Sequence, residues 1–195
     1  MQNELGADNL QIIAVAIDED VEKVKAAAEG INYPVLIDAQ HLLSELYGIS
    51  NVPTVVMIDE NDRIARPNWS ASGNDAFREF SGIDSDRQHD RIRRWVREGD
   101  AGTTEDEARA AVPDYSADDE AAQLHFRVAA ELRRRGDDEG AARNFDRAAE
   151  LAPHDWTIRR AMLPLRGEDP FGQGFFDLYG EHQAAGSPYR GLHGY

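Results

Sequence analysis

YGISNVPTVVMID, residues 47–59, is the stretch on which the reading of the fold turns. Gly48 closes the short leucine-rich helical run before it. Val52-Pro53-Thr54 then leads into a β-branched run at 54–58, which reads as a strand. A proline has no N–H for a ladder, so it is tolerated at the head of a strand. Asp59-Glu60-Asn61-Asp62 is a turn, and residues 63–66 (RIAR) return as the second arm of a hairpin.

Upstream, residues 10–17 (LQIIAVAI) are almost wholly apolar and rich in β-branched side chains. A strand covered on both faces has that composition. Asp18 and Asp20 offer N-caps for a helix over 21–29 that Gly30 stops. Residues 33–38 (YPVLID) form a second short strand, and 41–47 a helix with Leu42, Leu43 and Leu46 on one face. The polar residues 1–9 read as the end of a helix. Downstream, 73–80 is irregular and helix-tending. Residues 85–98 are amphipathic, with Ile92, Trp95 and Val96 on one side and Ser85 and Gln88 fitting a capping box.

Strand, helix, short strand, helix, Val-Pro-Thr, strand, turn, strand, helix is an order that resembles the thioredoxin-like fold. The motifs IIAVAID (12–18), YPVLID (33–38) and YGISNVPTVVMID (47–59) place the resemblance closest to the redoxin group. That group comprises the alkyl hydroperoxide reductase/thiol-specific antioxidant proteins and the TlpA-like thiol-disulfide oxidoreductases. The resemblance implies a cis bond between Val52 and Pro53. It also implies that the main chain of Val52 pairs with an extended protein or thiol substrate, a one-residue form of strand addition. Val52, Pro53 and Thr54 are therefore the expected substrate-binding residues. The same layout implies that 11–17 and 54–58 share one sheet, covered by the helix over 85–98.

The departure from the family lies where its chemistry should be. Family members carry a first strand and then Cys-x-x-Cys at a helix start, where the helix lowers the thiol pKa. This chain has no cysteine, and Met1 falls where that helix should end. Neither thiol-disulfide exchange nor peroxide reduction by the family mechanism is open to these residues alone, so no catalytic residue and no cofactor are assigned. Three accounts stay open: a chain begun late relative to a longer parent, a noncatalytic binding domain of degenerate thioredoxin fold, or a different fold for these strands.

In the second half, Ala141, Phe145, Ala148 and Pro153 stand at spacings of four, three and five, after Leu132 and Gly136. This resembles the second helix, and the end of the first, of a tetratricopeptide repeat over about 122–155. Small alanines permit close helix approach, Phe145 fills the groove, and Pro153 ends the pair. Ala129 stands where the family often has Gly, and His125 where an aromatic is common. A single repeat makes no peptide groove, since about three are needed to bury a continuous core. Residues 155–163 are expected to cap the hairpin, and the aromatic cluster Phe171, Phe175, Phe176, Tyr179 to fold back on the first domain. A protein partner through the hairpin is the second functional expectation.

The fold class expected is thus α/β: an incomplete thioredoxin-like domain over 1–99, an acidic linker over 100–119, an all-α hairpin with its cap over 120–165, and a tail over 166–195. The linker reading rests on eight acidic residues between positions 100 and 120.

Composition sets exclusions. Acidic residues number 37 against 21 basic, a net charge of −16, which disfavours nucleic acid and anionic membranes. Only Lys23 and Lys25 are lysines. The longest apolar run, 12–17, is far short of the ~20 residues a spanning helix needs, and no signal peptide is visible, so a cytoplasmic chain is expected. The six histidines His41, His89, His125, His154, His182 and His193 show no metal-ligand spacing and read as mostly surface residues. Asn68-Trp69-Ser70 fits the glycosylation triplet without a secretory signal to support it, and Trp69 reads as core or part-exposed. Gly172-x-Gly174 lacks the strand and third glycine of a phosphate loop, and no triad or calcium-loop pattern occurs.

Overall fold

The computed structural model describes every residue except Glu19, 72–74, 76–77 and 193–195, and every side chain among them except those of Phe80 and Ser81. It is mixed α/β, with many helices and two small sheets. The chain divides into two units. One comprises Met1–His41, Pro53–Val112 and Gly191–Tyr195; the other comprises Leu42–Val52 and Pro113–Arg190. The division differs from a simple front and back half: the 42–52 segment belongs with the helices.

In the α/β unit, β1 (Ala14–Ala16) pairs in parallel with β2 (Val35–Ile37) across the helix α2 (Val21–Ala27). Asp20 caps α2, its carboxylate accepting from the N–H of Lys23 at 3.1 Å. β3 (Thr54–Ile58) pairs antiparallel with β4 (Ile64–Ser70). The two pairs form separate two-stranded sheets, so the expectation that 11–17 and 54–58 lie in one sheet is corrected. The physical reason is visible in β1. It is three residues long, half-buried rather than doubly covered, and Ile13 beside it is exposed. The bonds from Ala14 N to Pro34 O and from Asp38 N to Ala16 O turn the polar groups of Ala14 and Ala16 toward β2. Those of Val15 face the opposite edge by the alternation of a strand.

The core of this unit is Trp69, 0% exposed, with Met57 and Ala101 and the flanking Val55, Ala65, Ile92, Trp95 and Leu192. Ile92 and Trp95 reach it from α5 (Ser85–Glu98), as the amphipathic pattern predicts. The cap differs from expectation. Asp84 caps α5, accepting from the N–H groups of Asp86 and Arg87, which releases Gln88 to lie buried and donate to Ser70 O at 3.0 Å. α4 (Arg78–Ser81) precedes it; the stretch 73–80 read as helix-tending falls largely outside the described residues. Glu4 of α1 (Gln2–Leu5) takes a bidentate pair from Arg93 at 2.8 and 3.0 Å, which fastens α1 to α5 and seats Leu5 in the interior.

The acidic stretch read as a solvated linker holds a helix, α6 (Glu105–Ala111), opened by a Thr104–Glu107 capping box. Ala101 is buried, and Arg66 donates to the carbonyls of Ala101 and Gly102 at 3.2 and 3.1 Å. The buried guanidinium also lies 4.6 Å from the Trp69 ring centroid. Gly191 and Leu192 of the tail join this unit as well. Leu192 N donates to Asn68 O at 2.7 Å and bridges β4 in parallel beside Trp69. Gly191 permits this approach, at φ +143°, because a Cβ there would collide with the Asn68 carbonyl.

In the helical unit, α7 (Ala117–Arg134) and α8 (Asp138–Leu151) form an antiparallel hairpin. Its core contains Ala122, Phe126, Ala129, Ala141, Phe145 and Ala148, closed by Ile158, Met162 and Leu165 of α9 (Trp156–Leu165). Ala141, Phe145 and Ala148 thus face inward as their spacing requires, and α9 caps the hairpin. α10 (Gln173–Ala184) carries Phe175, Phe176 and Tyr179 of the aromatic cluster. Phe175, Tyr179 and His182 surround Trp156 of α9 with ring centroids 5.2–6.1 Å away. α3 (Leu42–Leu46) also departs from its pattern. Ser44 is buried, while Leu42 and Leu46 are exposed, Leu46 by 74%, because Glu45 on another side of the helix pairs with Arg127 at 3.2 Å.

Candidate functional site

Val52, Pro53 and Thr54 sit at the division of the chain: Val52 ends the first segment of the helical unit and Pro53 opens the next segment of the α/β unit. Within the α/β unit, Pro53 O accepts from Ala71 N at 3.2 Å and Thr54 Oγ1 donates to Trp69 O at 3.0 Å. These bonds tie the head of β3 to the end of β4. Pro53 is exposed and Thr54 half-buried. Within the helical unit, Val52 is half-buried and follows Gly48, Ile49 and Ser50, all buried. The head of β3 therefore presents an exposed proline whose carbonyl is already paired within the α/β unit.

Sequence reasoning missed the polar centre of the helical unit. Asp155 caps α9, accepting from Ile158 N at 3.0 Å and from Gln123 Nε2 at 3.1 Å. Burial pushes its carboxyl up to about 6; the Ile158 and Thr157 N–H groups pull against this, Asp119 adds to it and Arg190 opposes it. Arg190 lies 4.2 Å over the Tyr115 ring, and its guanidinium is 3.8 Å from Asp119. Burial, then the charge of Asp155, raises the Tyr115 hydroxyl to about 12. The second oxygen of Asp155 is paired by Gln123, 32 positions earlier, which no local sequence pattern reveals.

His41 was also missed. It was grouped with surface histidines, yet it is 3% exposed at φ +57°. Burial lowers its pKa, opposed by Asp38, the Ile17 backbone and Asp18. His154 and His182 line a small cleft with Trp156, Arg159 and Glu181, where burial and then His154 lower the pKa of His182. His193 lies outside the described residues. Asn68 is buried, so the glycosylation triplet is not presented at the surface. Among the described residues, no group of three or more His, Cys, Asp or Glu is placed to hold a metal ion. No helix among them is long and apolar enough to cross a membrane.

Compared with protein-family models, with curated proteins and with solved structures, the chain gives no match.

Proposed function

We propose that this chain is the substrate-facing part of a thioredoxin-like redoxin protein, of the kind that exchanges thiols and disulfides or reduces peroxide when its cysteine-bearing helix is present. The observation that carries the reading is Pro53-Thr54 at the head of β3, directly after Val52 in the sequence and tied to β4 and Ala71, in a unit that also holds a parallel β1–α2–β2 crossover. A parallel pair and an antiparallel pair are the two flanks of the redoxin sheet, and both β1 and β3 have one ladder partner in the named sheets. The strand the resemblance places beside β1 would supply a second. Val52 is the expected main-chain contact to substrate, with Pro53 and Thr54 fixing its surroundings. The residues present contain no thiol, so this chain supplies binding and the helix of the family motif supplies redox chemistry.

The coding frame upstream of the Met1 codon tests this. An in-frame strand followed by Cys-x-x-Cys, Cys-x-x-Ser or a selenocysteine codon is the expected result. A stop codon and a ribosome-binding site immediately before Met1 overturn it.

A second reading, a noncatalytic interaction module, is favoured by one feature of the hairpin. Leu124 and Val128, one turn apart on α7, are exposed above a shallow groove that Arg127 and Leu132 help to line.

A further inference from the structure

We propose that the helical unit is a latch for the segment Leu42–Val52: Thr157 at the start of α9 and the main chain at Arg190 hold Ile49 and Ser50, and so fix the chain that enters Val52-Pro53. The inference rests on the reading above only for what Val52 does; the latch itself is a property of the helical unit.

Three hydrogen bonds make it, two to carbonyls and one to the Ser50 hydroxyl. Thr157 N donates to Ser50 O at 3.2 Å, Thr157 Oγ1 donates to Ile49 O at 3.4 Å, and Arg190 N donates to Ser50 Oγ at 2.7 Å. They join positions more than a hundred residues apart in sequence, so none follows from local structure. The first N–H groups of a helix have no partner within it. Here Asp155 satisfies Ile158 N and also draws on Thr157 N, which donates to Ser50 O as well. Gly48, Ile49 and Ser50 are buried, and α3 is held separately through the Glu45–Arg127 pair. Inside the segment, Ile49 N donates to Ser44 O and Gly48 N to Glu45 O, the turn that ends α3. Opening the latch frees this turn without disturbing the Phe126–Phe145 core, which lies among other residues.

Ser50, Thr157 and the Arg190 main chain are therefore positioning residues. They hold the Ile49–Ser50 turn in place two residues before Val52.

Amide hydrogen exchange on the full chain tests the proposal. In the Ser50→Ala/Thr157→Val double variant, the amides of Gly48 to Val52 should exchange about tenfold faster or more, the range expected when one or two net hydrogen bonds are lost. Amides within α7 and α8 should keep their rates. Thr157→Ser, which retains the hydroxyl, should restore part of the protection in the presence of Ser50. Unchanged exchange over 48–52 overturns the latch. An equal rise across 48–52, α7 and α8 also overturns it, since that is general destabilisation. A failed upstream frame would defeat the redoxin reading and leave this result standing.

Discussion

Replacing Phe145 with alanine removes the largest side chain on the α8 side of the hairpin core. Phe145 is 1% exposed, and its ring meets Phe126 at 6.0 Å between centroids, inclined by 54°. Burying a phenylalanine and then deleting it costs about 3–5 kcal/mol, depending on how far the surroundings collapse. Four of the buried neighbours are Ala122, Ala129, Ala141 and Ala148, which have no length with which to refill the void. The cost should therefore fall in the upper half, about 4 kcal/mol including the lost ring pair. With a urea slope of ~2 kcal/mol per molar, the midpoint of the helical unit should fall by about 2 M. Urea titration followed by circular dichroism at the helix band, with tryptophan fluorescence as a second probe, measures this. Phe176→Ala serves as the control, because Phe176 is 53% exposed and should shift the midpoint little. A Phe145→Ala midpoint within ~0.3 M of the parent would refute the claim that the alanine-lined hairpin rests on this ring.

The chain should give no insulin reduction with dithiothreitol above the buffer rate, since no residue can form a mixed disulfide; a clear rate from pure protein contradicts the thiol argument. Asp155 has its pKa raised to about 6, so the folded helical unit binds more protons than the unfolded chain between that value and the ordinary carboxylate range. Its contribution is thus fully present at acid pH and lost as pH rises through about 6, a difference of up to ~3 kcal/mol. Asp155→Asn should flatten that dependence while keeping the α9 cap, and an unchanged pH profile in urea melts would exclude Asp155 as its source. The α/β unit exposes Ile13, Leu36, Ile37, Ile58 and Ile64 beside two short sheets, so the chain should self-associate despite its charge. Light scattering checks this: Leu36→Lys should shift the population toward monomer, whereas a parent that is already monomeric counts against it. Asp84→Ala should cost about 1 kcal/mol through loss of the α5 cap, read by thermal melting against Ser85→Ala, which carries no comparable cap.

The sequence by itself determined the elements whose causes are local. α5 follows from its apolar face and ends at Gly99, at φ +74°; α7 and α8 follow from helical periodicity around Gly136, at φ +83°. β3 runs over 54–58 as its β-branched residues require, and the inward set Ala141, Phe145, Ala148 was legible from spacing alone. The candidate residues Val52, Pro53 and Thr54 were legible as a motif, and so was the absence of any thiol. Tertiary structure decided whatever depends on partners distant in sequence. β1 and β3 fall in different sheets because pairing is set by which strands are available, which composition does not reveal. Leu42 and Leu46 face outward because Ser44 and Glu45 answer to the helical unit, against the local apolar pattern. The acidic stretch becomes ordered because the buried Arg66 guanidinium needs the carbonyls of Ala101 and Gly102, and a buried cation without acceptors is too costly to leave. The bonds from Thr157 and Arg190 to the Ile49–Ser50 turn are of the same kind: backbone groups carry no sequence signature, and only the folded chain brings them together.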